Sequence, residues 1–361
     1  MSGIEPIIPW LLAALHLHPG GQHGLPPALA NLKGAPIGVC QVQLTWDDFS
    51  DYELLFFAER TTNGFASSTL FVLPSNSTNF VDTNVLPGVA YRYRLRACNL
   101  AGCSANIETG PILTGSFSAW TPLFQGIEHA TGTTALGVSP QQVVNMLRVD
   151  LRAPGVHVFT TPPSSFYLPD FIETFAKTTS HFLEETHAQA AINGQWFAPC
   201  CTAFDGLPED IWGMAISSNR TVSLQESETF ATALIIGSNN VPMMIGTNWP
   251  PISNDGIWQG VSGKNPLLYL GEYVGTNVTV APRTAIGYSE DGRYLFLITI
   301  DGRQPGYSDG ATDCDTAAWL ASAGAYNALM LDGGGSTTMA IANGAGGAAL
   351  LNQPIRWHPW K

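Results

Sequence analysis

Alternating apolar and polar positions dominate the chain between residues 39 and 112. Residues 42–46 (VQLTW) and 91–97 (YRYRLRA) each alternate in this way. A period of two indicates strands with one buried face, and several such strands separated by turn residues indicate a β-sandwich. We therefore predict an all-β domain over residues 38–113. It follows a Pro-, Gly- and His-rich leader, residues 1–37, that we expect to be poorly ordered.

The pattern changes beyond about residue 111. Continuous apolar runs, typical of strands buried on both faces, occur at residues 234–236, 295–300 and 328–331. Further strands are predicted at residues 147–151 and 155–159, and helices at residues 171–185 and 315–326. The second helix has Thr312 or Asp313 as its N-cap. The chain is therefore predicted to be multidomain, with the sandwich followed by an α+β domain over residues 114–361, in which helices pack on a mixed sheet.

Composition and charge narrow the classes of function. The 361 residues include 15 Lys and Arg against 28 Asp and Glu, for a formal net charge of −13. Because phosphate neutralisation needs clustered cations, we exclude sequence-independent nucleic-acid binding. The apolar segment at residues 7–17 has the length of a signal-peptide core, but no Lys or Arg precedes it, so a signal peptide is not clear. It is too short to span a membrane.

The cysteines favour an oxidising compartment. None of the six forms a C-x-x-C pair and the histidines lack metal spacing, so we predict no metal and no cofactor. Their arrangement is a pair flanking a turn, an adjacent pair and two that stand alone: Cys98 and Cys103, Cys200 and Cys201, Cys40 and Cys314. With low charge and three N-x-S/T sequons, this predicts a secreted or extracytoplasmic protein.

The N-terminal domain resembles a known module. The residues that carry the resemblance are Trp46, residues 80–82 (FVD), residues 86–99 (LPGVAYRYRLRACN) and residues 101–104 (AGCS). They are similar to a fibronectin type III domain. In such a domain Cys98 and Cys103 would lie near a strand end, close enough for a local disulfide, with two free buried thiols as the alternative.

A glycine-rich element is the strongest chemical signal. Residues 331–338 (LDGGGSTT) lie between two apolar runs. Glycines permit positive φ angles and let backbone N–H groups approach a ligand, and successive N–H groups can hold an anion. The candidate anion-binding residues are Gly333, Gly334, Gly335, Ser336 and Thr337, with the Asp332 carboxylate beside them. The alternative is a tight turn without a ligand.

Three other predicted strands end or begin at polar residues. Asn193 follows residues 190–192, Arg283 opens residues 283–287, and Asp301 follows residues 295–300. Arg303 comes just after Asp301, and a guanidinium can bind phosphate oxygens through two hydrogen bonds. Each residue alone could be a solvated strand end, but together they predict a convergent pocket.

These elements together resemble the phosphodiester glycosidase family, which includes the uncovering enzyme of the mannose-6-phosphate pathway. The resemblance spans about residues 126–356 and rests on Asn193-Gly194 with Phe197, residues 283–287, 301–303, 310–312, 324–325, 327–328 and 332–336, and Asn352 with Pro354. It implies hydrolysis of a GlcNAc-like sugar from a glycosyl-1-phosphodiester or phosphorylated glycan.

The charges of these candidate residues suggest which part of the substrate each would contact. Arg283, Arg303 and the loop from Gly333 to Ser336 would hold the phosphate, which then leaves readily. Asp301 and Asp332 would act at the anomeric carbon, with the choice between nucleophile and base open. Two departures from the family matter: Gln195 replaces a small residue, so we expect an altered pocket wall, and the chain stops before the family's closing strand, which would expose a sheet edge.

Other functions remain open. A non-catalytic glycan-binding or cell-surface adhesion protein would bind glycans and release no sugar. An actin-like or exopolyphosphatase-like phosphotransferase would share the glycine-rich loop but needs a second Asp-x-Gly loop far upstream, and Asp301-Gly302 is too close to provide it. A third possibility is a chain inactivated by its short C-terminus. The oligomeric state is left open.

Overall fold

The computed structural model describes residues 24–199, 205–224, 228–246 and 256–355. The apolar segment at residues 7–17, Cys200, Cys201 and residues 357–361 lie outside these ranges. The chain divides into two compact units. The first comprises Met1–Gly34, Leu44–Phe80 and Arg92–Gly110, and the second comprises Ala35–Gln43, Val81–Tyr91 and Pro111–Lys361. Three short segments of the predicted sandwich domain, residues 38–43, 81–91 and 111–113, thus belong to the larger unit.

Short strands make up the N-terminal part of the described chain. They are β1 Ala30–Ile37, β2 Gln41–Asp47, β3 Leu55–Thr61, β4 Thr69–Pro74, β5 Asn79–Asp82, β6 Ala90–Asn99, β7 Gly102–Cys103, β8 Ile107–Glu108 and β9 Ile112–Leu113. One sheet has the order β1-β2-β5, and the other is β4-β3-β6-β7 with β8 and β9 also pairing with β6. Strand β1 lies inside the range that we expected to be a poorly ordered leader.

The first unit has the layered packing expected of a β-sandwich. Trp46 of β2 and Phe56 of β3 lie on different sheets, and their ring centroids are 5.8 Å apart in an edge-to-face contact. Leu44, Tyr93 and Leu95 are fully buried with them. The alternation in residues 42–46 and 91–97 therefore marks the inward faces of β2 and β6, as the sequence predicted.

In its described residues, the larger unit contains two α-helices and most of the strands. These are β10 Gly115–Phe117, β11 Thr121–Phe124, β12 Ile127–Thr134, β13 Val143–Asp150, β14 Thr174–Phe175, α1 Thr179–Thr186, β15 Ala190–Ile192, β16 Phe197–Ala198, β17 Pro208–Ile211, β18 Ala215–Ser217, β19 Arg220–Ser223, β20 Thr232–Gly237, β21 Pro242–Ile245, β22 Ile257–Gly263, β23 Pro266–Tyr269, β24 Glu272–Tyr273, β25 Arg283–Tyr288, β26 Tyr294–Ile300, α2 Asp313–Ala323, β27 Asn327–Met330, β28 Met339–Ala342 and β29 Ala348–Leu350.

A nine-stranded sheet forms the centre of this unit. Its order is β10-β12-β13-β26-β25-β27-β23-β24, with β11 pairing with β12. Every pairing within it is antiparallel. The expectation of a mixed sheet is therefore wrong for this sheet. Continuous apolar runs reveal burial on both faces, and that burial does not require parallel strands.

Two different layers cover the central sheet. On one face, helix α2 contributes Trp319 and Leu320 to a core that includes Phe296 and Ile298. On the other face, Leu234 of a five-stranded sheet (β19-β18-β22-β20-β21) packs in a cluster with residues of the central strands. The strands β25 and β26 are therefore inaccessible along most of their length, and only their ends can present functional groups.

Both described helices begin after a polar N-cap residue, and helix α1 is shorter than predicted. Thr312 caps α2 and forms a capping box with Asp315. Helix α1 begins after the cap Thr178, so residues 171–178 are not part of it, and β14 lies in that stretch. The predicted strand at residues 155–159 is also absent from the described structure. Side-chain spacing alone does not distinguish a helix from an extended segment that is partly buried.

Two disulfides connect described cysteines. Cys98 and Cys103 are paired across β6 and β7, as expected for a local disulfide. Cys40, which the sequence left without a partner, bonds to Cys314 across a sequence separation of 274 residues. The amide of Val39 also donates to Asp315 Oδ1 at 2.8 Å, so the first turn of α2 holds this segment within the larger unit. No helix among the described residues is long and apolar enough to cross a membrane.

Candidate functional site

One edge of the central sheet gathers several predicted site residues. Arg283 opens β25 and is registered with Ile300, the last residue of β26. Ala285 is registered with Met330, so the chain leaving β27 reaches Asp332 beside the start of β25. Asn193 follows β15 and meets the same loop, because its N–H donates to Thr338 O at 3.2 Å. The antiparallel register therefore brings these ends together.

A single cleft contains most of these groups. It has a volume of about 2250 Å³ and is lined by Asn193, Arg283, Arg303, Asp332 and the stretch Gly333–Ser336, among other residues of the larger unit. Asp301 and Thr337 do not line it. The structure thus brings together eight of the ten predicted site residues and places two behind the wall.

Asp332 is the predicted catalytic carboxylate that faces the cleft. Its Oδ1 accepts from Gly333 N at 2.9 Å, and the Ser336 hydroxyl also donates to the carboxylate. Burial raises the pKa of Asp332, and these two hydrogen bonds oppose the rise. The group is therefore a positioned carboxylate whose charge is poorly solvated, which favours reaction with a developing positive charge.

The glycine-rich loop is built for close approach but offers fewer free N–H groups than expected. Gly334 has φ +62°, and a Cβ on Gly333 would lie 2.6 Å from Pro282 O. The N–H groups of Gly333, Gly334, Ser336 and Thr337 donate within the protein. Among the described residues, only the exposed Gly335 N–H of this loop lacks such a partner. One amide, rather than a full nest, is available to an anion.

Two guanidinium groups lie near this loop. Arg283 is 8% exposed and donates through Nε to Ala311 O at 2.9 Å. Burial lowers the pKa of Arg283; the negative charge of Asp313 opposes this shift, and the positive charge of Arg303 adds to it. Arg303 is exposed, with its Nη1 3.3 Å from the position of a Cβ on Gly334. Arg303 has no ion pair within the described ranges, so its guanidinium is left to attract an anion, whereas Arg283 also donates through Nη2 to Thr279 O.

Asn193 has a different role from the one expected. Its Nδ2 donates to Asp332 O at 2.8 Å and to Gly194 O at 3.3 Å. Its Oδ1 accepts from Thr284 Oγ1 at 2.7 Å and from Thr338 N at 3.1 Å. Because both amide hydrogens are used inside the protein, Asn193 holds the Asp332 loop against β25 and has no donor left for a substrate.

Asp301 lies behind the cleft wall. It is 1% exposed, and its carboxylate accepts from Asn352 Nδ2 at 2.8 Å, from Gln353 N at 3.0 Å and from Tyr307 OH at 3.0 Å. Burial raises the pKa of Asp301 against these three donors. The position does not fit the expected attack at the anomeric carbon. It fits a carboxylate that ties the chain after β26 to residues 352–353.

Two further residues are also structural in this arrangement. Thr337 is 1% exposed and its hydroxyl has no partner in the described part of the chain, so the expectation that it contacts phosphate does not fit either. Gln195 is 8% exposed, and its Nε2 donates to Gly213 O and Ser262 Oγ, both at 3.0 Å. The large side chain that departs from the family pattern therefore fastens β22 to the cleft wall.

Glu209 is a cleft residue that the sequence did not reveal. It is 2% exposed, lines the cleft, and neither carboxylate oxygen has a partner among the residues described. Burial raises the pKa of Glu209 to about 7, and the nearby charge of Asp210 contributes. Strand β17 is only Pro208–Ile211, and so short a strand gives no periodic signal.

The raised pKa of Glu209 predicts a stability that depends on pH. Its pKa rises from the ordinary 4.5 to about 7 on folding, so charging it costs free energy as pH increases through that window. We expect Glu209→Gln to be more stable than the unmodified protein at about pH 8, by on the order of 2 kcal/mol. At about pH 4, where the carboxyl is protonated in both states, the difference should vanish. Urea unfolding at both pH values measures this, and a gap that persists in acid would indicate altered packing instead.

Comparisons with known proteins find similar sequences for parts of the chain. A family profile described as phosphodiester glycosidase matches residues 186–360. The SPbeta prophage-derived uncharacterized protein YomE of Bacillus subtilis is 40% identical over 86 residues, which is 24% of this chain and 13% of that protein. The chain thus aligns with only about an eighth of the length of this curated relative.

Solved structures are also similar to parts of the chain. The catalytic domain of zebrafish N-acetylglucosamine-1-phosphodiester alpha-N-acetylglucosaminidase, auto-inhibited by its pro-peptide, has 19% identity and a TM-score of 0.43 over 67% of this chain and 81% of that one. A fibronectin type III domain of human collagen alpha-1(XX) has 17% identity and a TM-score of 0.22 over 26% of this chain and 88% of that one.

Proposed function

We propose that this protein is a phosphodiester glycosidase that hydrolyses a glycosyl-1-phosphodiester and releases a GlcNAc-like sugar, because residues 186–360 match the model of that family. The observation that carries the proposal is the presence of a carboxylate and a free cationic group in one cleft. Asp332 and Arg303, which has no ion pair among the described residues, both line it, and the exposed Gly335 amide lies on the same loop as Asp332.

The proposed chemistry divides between the two kinds of group. Arg303, Arg283 and the Gly335 N–H hold the phosphate and stabilise the charge that it gains on leaving. Asp332 acts at the anomeric carbon, where an oxocarbenium-like state develops positive charge. Since a phosphate held in this way is a good leaving group, the reaction does not need a strong acid next to it. Asn193 and Asp301 are positioning residues that hold the Asp332 loop and the Arg303 loop.

The compartment follows from the disulfides. Cys40–Cys314 and Cys98–Cys103 are both formed in the structure, and such bonds persist mainly in oxidising environments. We therefore propose an extracytoplasmic protein whose fibronectin type III-like sandwich accompanies the enzyme. The glycosyl-phosphodiester substrate is the only binding partner that we propose for this protein.

The direct test is release of sugar from a phosphodiester. The protein is incubated with UDP-GlcNAc and with a GlcNAc 1-phosphate ester of a simple alcohol, and free N-acetylglucosamine is quantified. Release that depends on enzyme concentration supports the proposal. Binding of either compound without any release would instead favour a glycan-binding protein.

Arg303 provides a specific prediction about phosphate. We expect Arg303→Ala to raise KM by about 10-fold to 100-fold, because a hydrogen bond to a charged group contributes about 1.5–3 kcal/mol. Arg303→Lys should recover part of this loss, since lysine keeps the charge but not the two-pronged geometry. The control is Arg152→Ala, which removes an exposed arginine paired with Asp291. Equal KM values in all three variants would exclude Arg303 from phosphate binding.

A further inference from the structure

The cleft continues into the space between the two sheets of the larger unit. Leu297 lies in the middle of β26, between Leu147 of β13 and Ile286 of β25. Because paired strands flank it on both sides, its side chain can be approached only from one face of the sheet. Leu297 is nevertheless half-buried, lines the cleft and packs against the apolar cluster between the sheets. The cleft therefore extends over the face of the central sheet that is opposite α2.

The five-stranded sheet contributes a similar residue. Val261 lies on β22, between Ala215 of β18 and Leu234 of β20. It too is half-buried, lines the cleft and packs against the same cluster. Protein interiors are normally close-packed, so a central residue of a covered sheet should be fully buried. Two such residues that remain half-buried, one from each sheet, indicate a passage between the sheets.

The wall of this passage is apolar. Six side chains are half-buried, line the cleft and pack against the cluster between the sheets: Ile127, Val156, Val158, Ile192, Val261 and Leu297. Among the buried described members of that cluster, only Tyr288 has a polar side-chain atom, and its hydroxyl oxygen accepts from Met244 N at 3.0 Å. Such a wall favours an apolar ligand, because burial of apolar surface on both partners is favourable.

One end of the passage adjoins the candidate catalytic loop. Leu331 belongs to the apolar cluster, lines the cleft and directly precedes Asp332. Ile192 is one of the six wall residues and directly precedes Asn193, whose Nδ2 donates to Asp332 O at 2.8 Å. The apolar wall is therefore continuous with the groups that position the Asp332 carboxylate.

The passage runs some distance from that end. Leu295 lines the cleft and lies five residues before Ile300, the end of β26 that is registered with Arg283, which corresponds to about 16 Å along the strand. Leu295 is registered with Val149, and Val149 with Ile127, another of the wall residues. The wall thus has the length that an extended hydrocarbon chain needs.

We propose that this passage binds the hydrocarbon chain of a lipid alcohol, so that the substrate is a sugar joined to that lipid through a phosphodiester. Hydrolysis breaks the bond between C1 of the sugar and the phosphate oxygen. C1 takes the hydroxyl of water, the remaining proton passes to solvent, and the lipid keeps its phosphate as a monoester. The inference deepens the proposed function and rests on it, because the chain belongs to the second alcohol of the same phosphodiester.

Dependence on chain length tests the assignment. The substrates are GlcNAc 1-phosphate esterified to methanol and to n-octanol, the second used below its micelle concentration. Burial of one methylene group favours binding by roughly 4-fold. We expect KM for the octyl ester to be lower by about 100-fold, with kcat changed by less than about 3-fold, because the chain is held equally in the ground and transition states. Equal KM values for the two esters would overturn the proposal.

Filling the passage should remove the preference for the octyl ester. Val261→Phe and Leu297→Phe each place a larger side chain in it. We expect KM for the octyl ester to rise towards that for the methyl ester, and the latter to change by less than about 3-fold. Val278→Phe is the matched control, because Val278 is 84% exposed and does not line the cleft. A preference that persists in both variants, shown to be folded by thermal melting, would place the chain elsewhere and refute the assignment.

Binding of the product separates this inference from the proposed function. If the unmodified protein releases no sugar from either ester, the proposed function fails, and isothermal titration calorimetry with octyl phosphate and methyl phosphate decides the passage. Tighter binding of octyl phosphate with a negative heat-capacity change supports it. No binding of octyl phosphate overturns it. The ester comparison and this titration use the unmodified protein, so they decide the inference even if neither phenylalanine variant folds.

Discussion

Replacing Asp332 by asparagine is expected to lower the rate of sugar release by about 10³-fold and to leave the fold intact. Among the predicted catalytic carboxylates, only Asp332 lines the cleft. Asparagine has nearly the same shape, but it can neither attack the anomeric carbon, activate a water molecule, nor balance positive charge. The change should therefore act on kcat, with little effect on KM.

The same Asp332→Asn substitution should not reduce the stability of the folded protein. Because burial raises the pKa of Asp332, ionising it in the folded protein costs free energy, and that cost is present at neutral pH. Asparagine removes the charge, so the variant should unfold at the same temperature or a higher one. Asp205→Asn is the control, since Asp205 also lines the cleft but its Oδ2 is 2.7 Å from His181 Nδ1. Turnover near that of the unmodified protein in Asp332→Asn would show the catalytic assignment to be wrong.

Replacing Asp301 by asparagine is expected to destabilise the fold by about 3 kcal/mol. The carboxylate accepts from Asn352 Nδ2, Gln353 N and Tyr307 OH. Asparagine would set an amino group against at least one of these buried donors, which leaves a donor unsatisfied. Urea unfolding measures the loss directly.

The variant also separates two roles for Asp301. Asp309→Asn is the comparison, because Asp309 lies in the same loop and its Oδ2 accepts from Gln141 N at 2.8 Å. If Asp301 only positions residues 352–353, the Asp301 variant should retain substantial turnover at low temperature, where it remains folded. Full stability combined with complete loss of turnover would instead establish a direct chemical role.

The sequence predicted that these polar residues lie at strand ends, because the end of an apolar run is visible in the local sequence. Apolar runs ended at Asp301 and Asp332, and one began at Arg283, so these residues could be assigned to strand ends without knowing the fold. In antiparallel neighbours, the start of one strand lies beside the end of the next. This holds for Arg283 and Ile300. The assignment needed no knowledge of which strands are paired.

The sequence pattern could not predict which of these individual side chains would be buried. Asp301 and Asp332 look alike in sequence, since each follows an apolar run and precedes glycine. They differ because residues 352–353 cover Asp301, and this contact joins positions that are far apart in the chain. Glu209 was missed for the same reason, because its burial depends on strands as short as Thr174–Phe175 and Phe197–Ala198.

The Cys40–Cys314 bond has a consequence for how the chain matures. Cys314 leaves the ribosome 274 residues after Cys40, so the earlier thiol stays unpaired during most of translation. Covalent closure of the larger unit is therefore a late event, and it requires that helix α2 be made first. A nascent chain released before residue 314 would carry a reactive thiol at position 40, which makes it a substrate for mixed-disulfide capture by the oxidoreductases of its compartment.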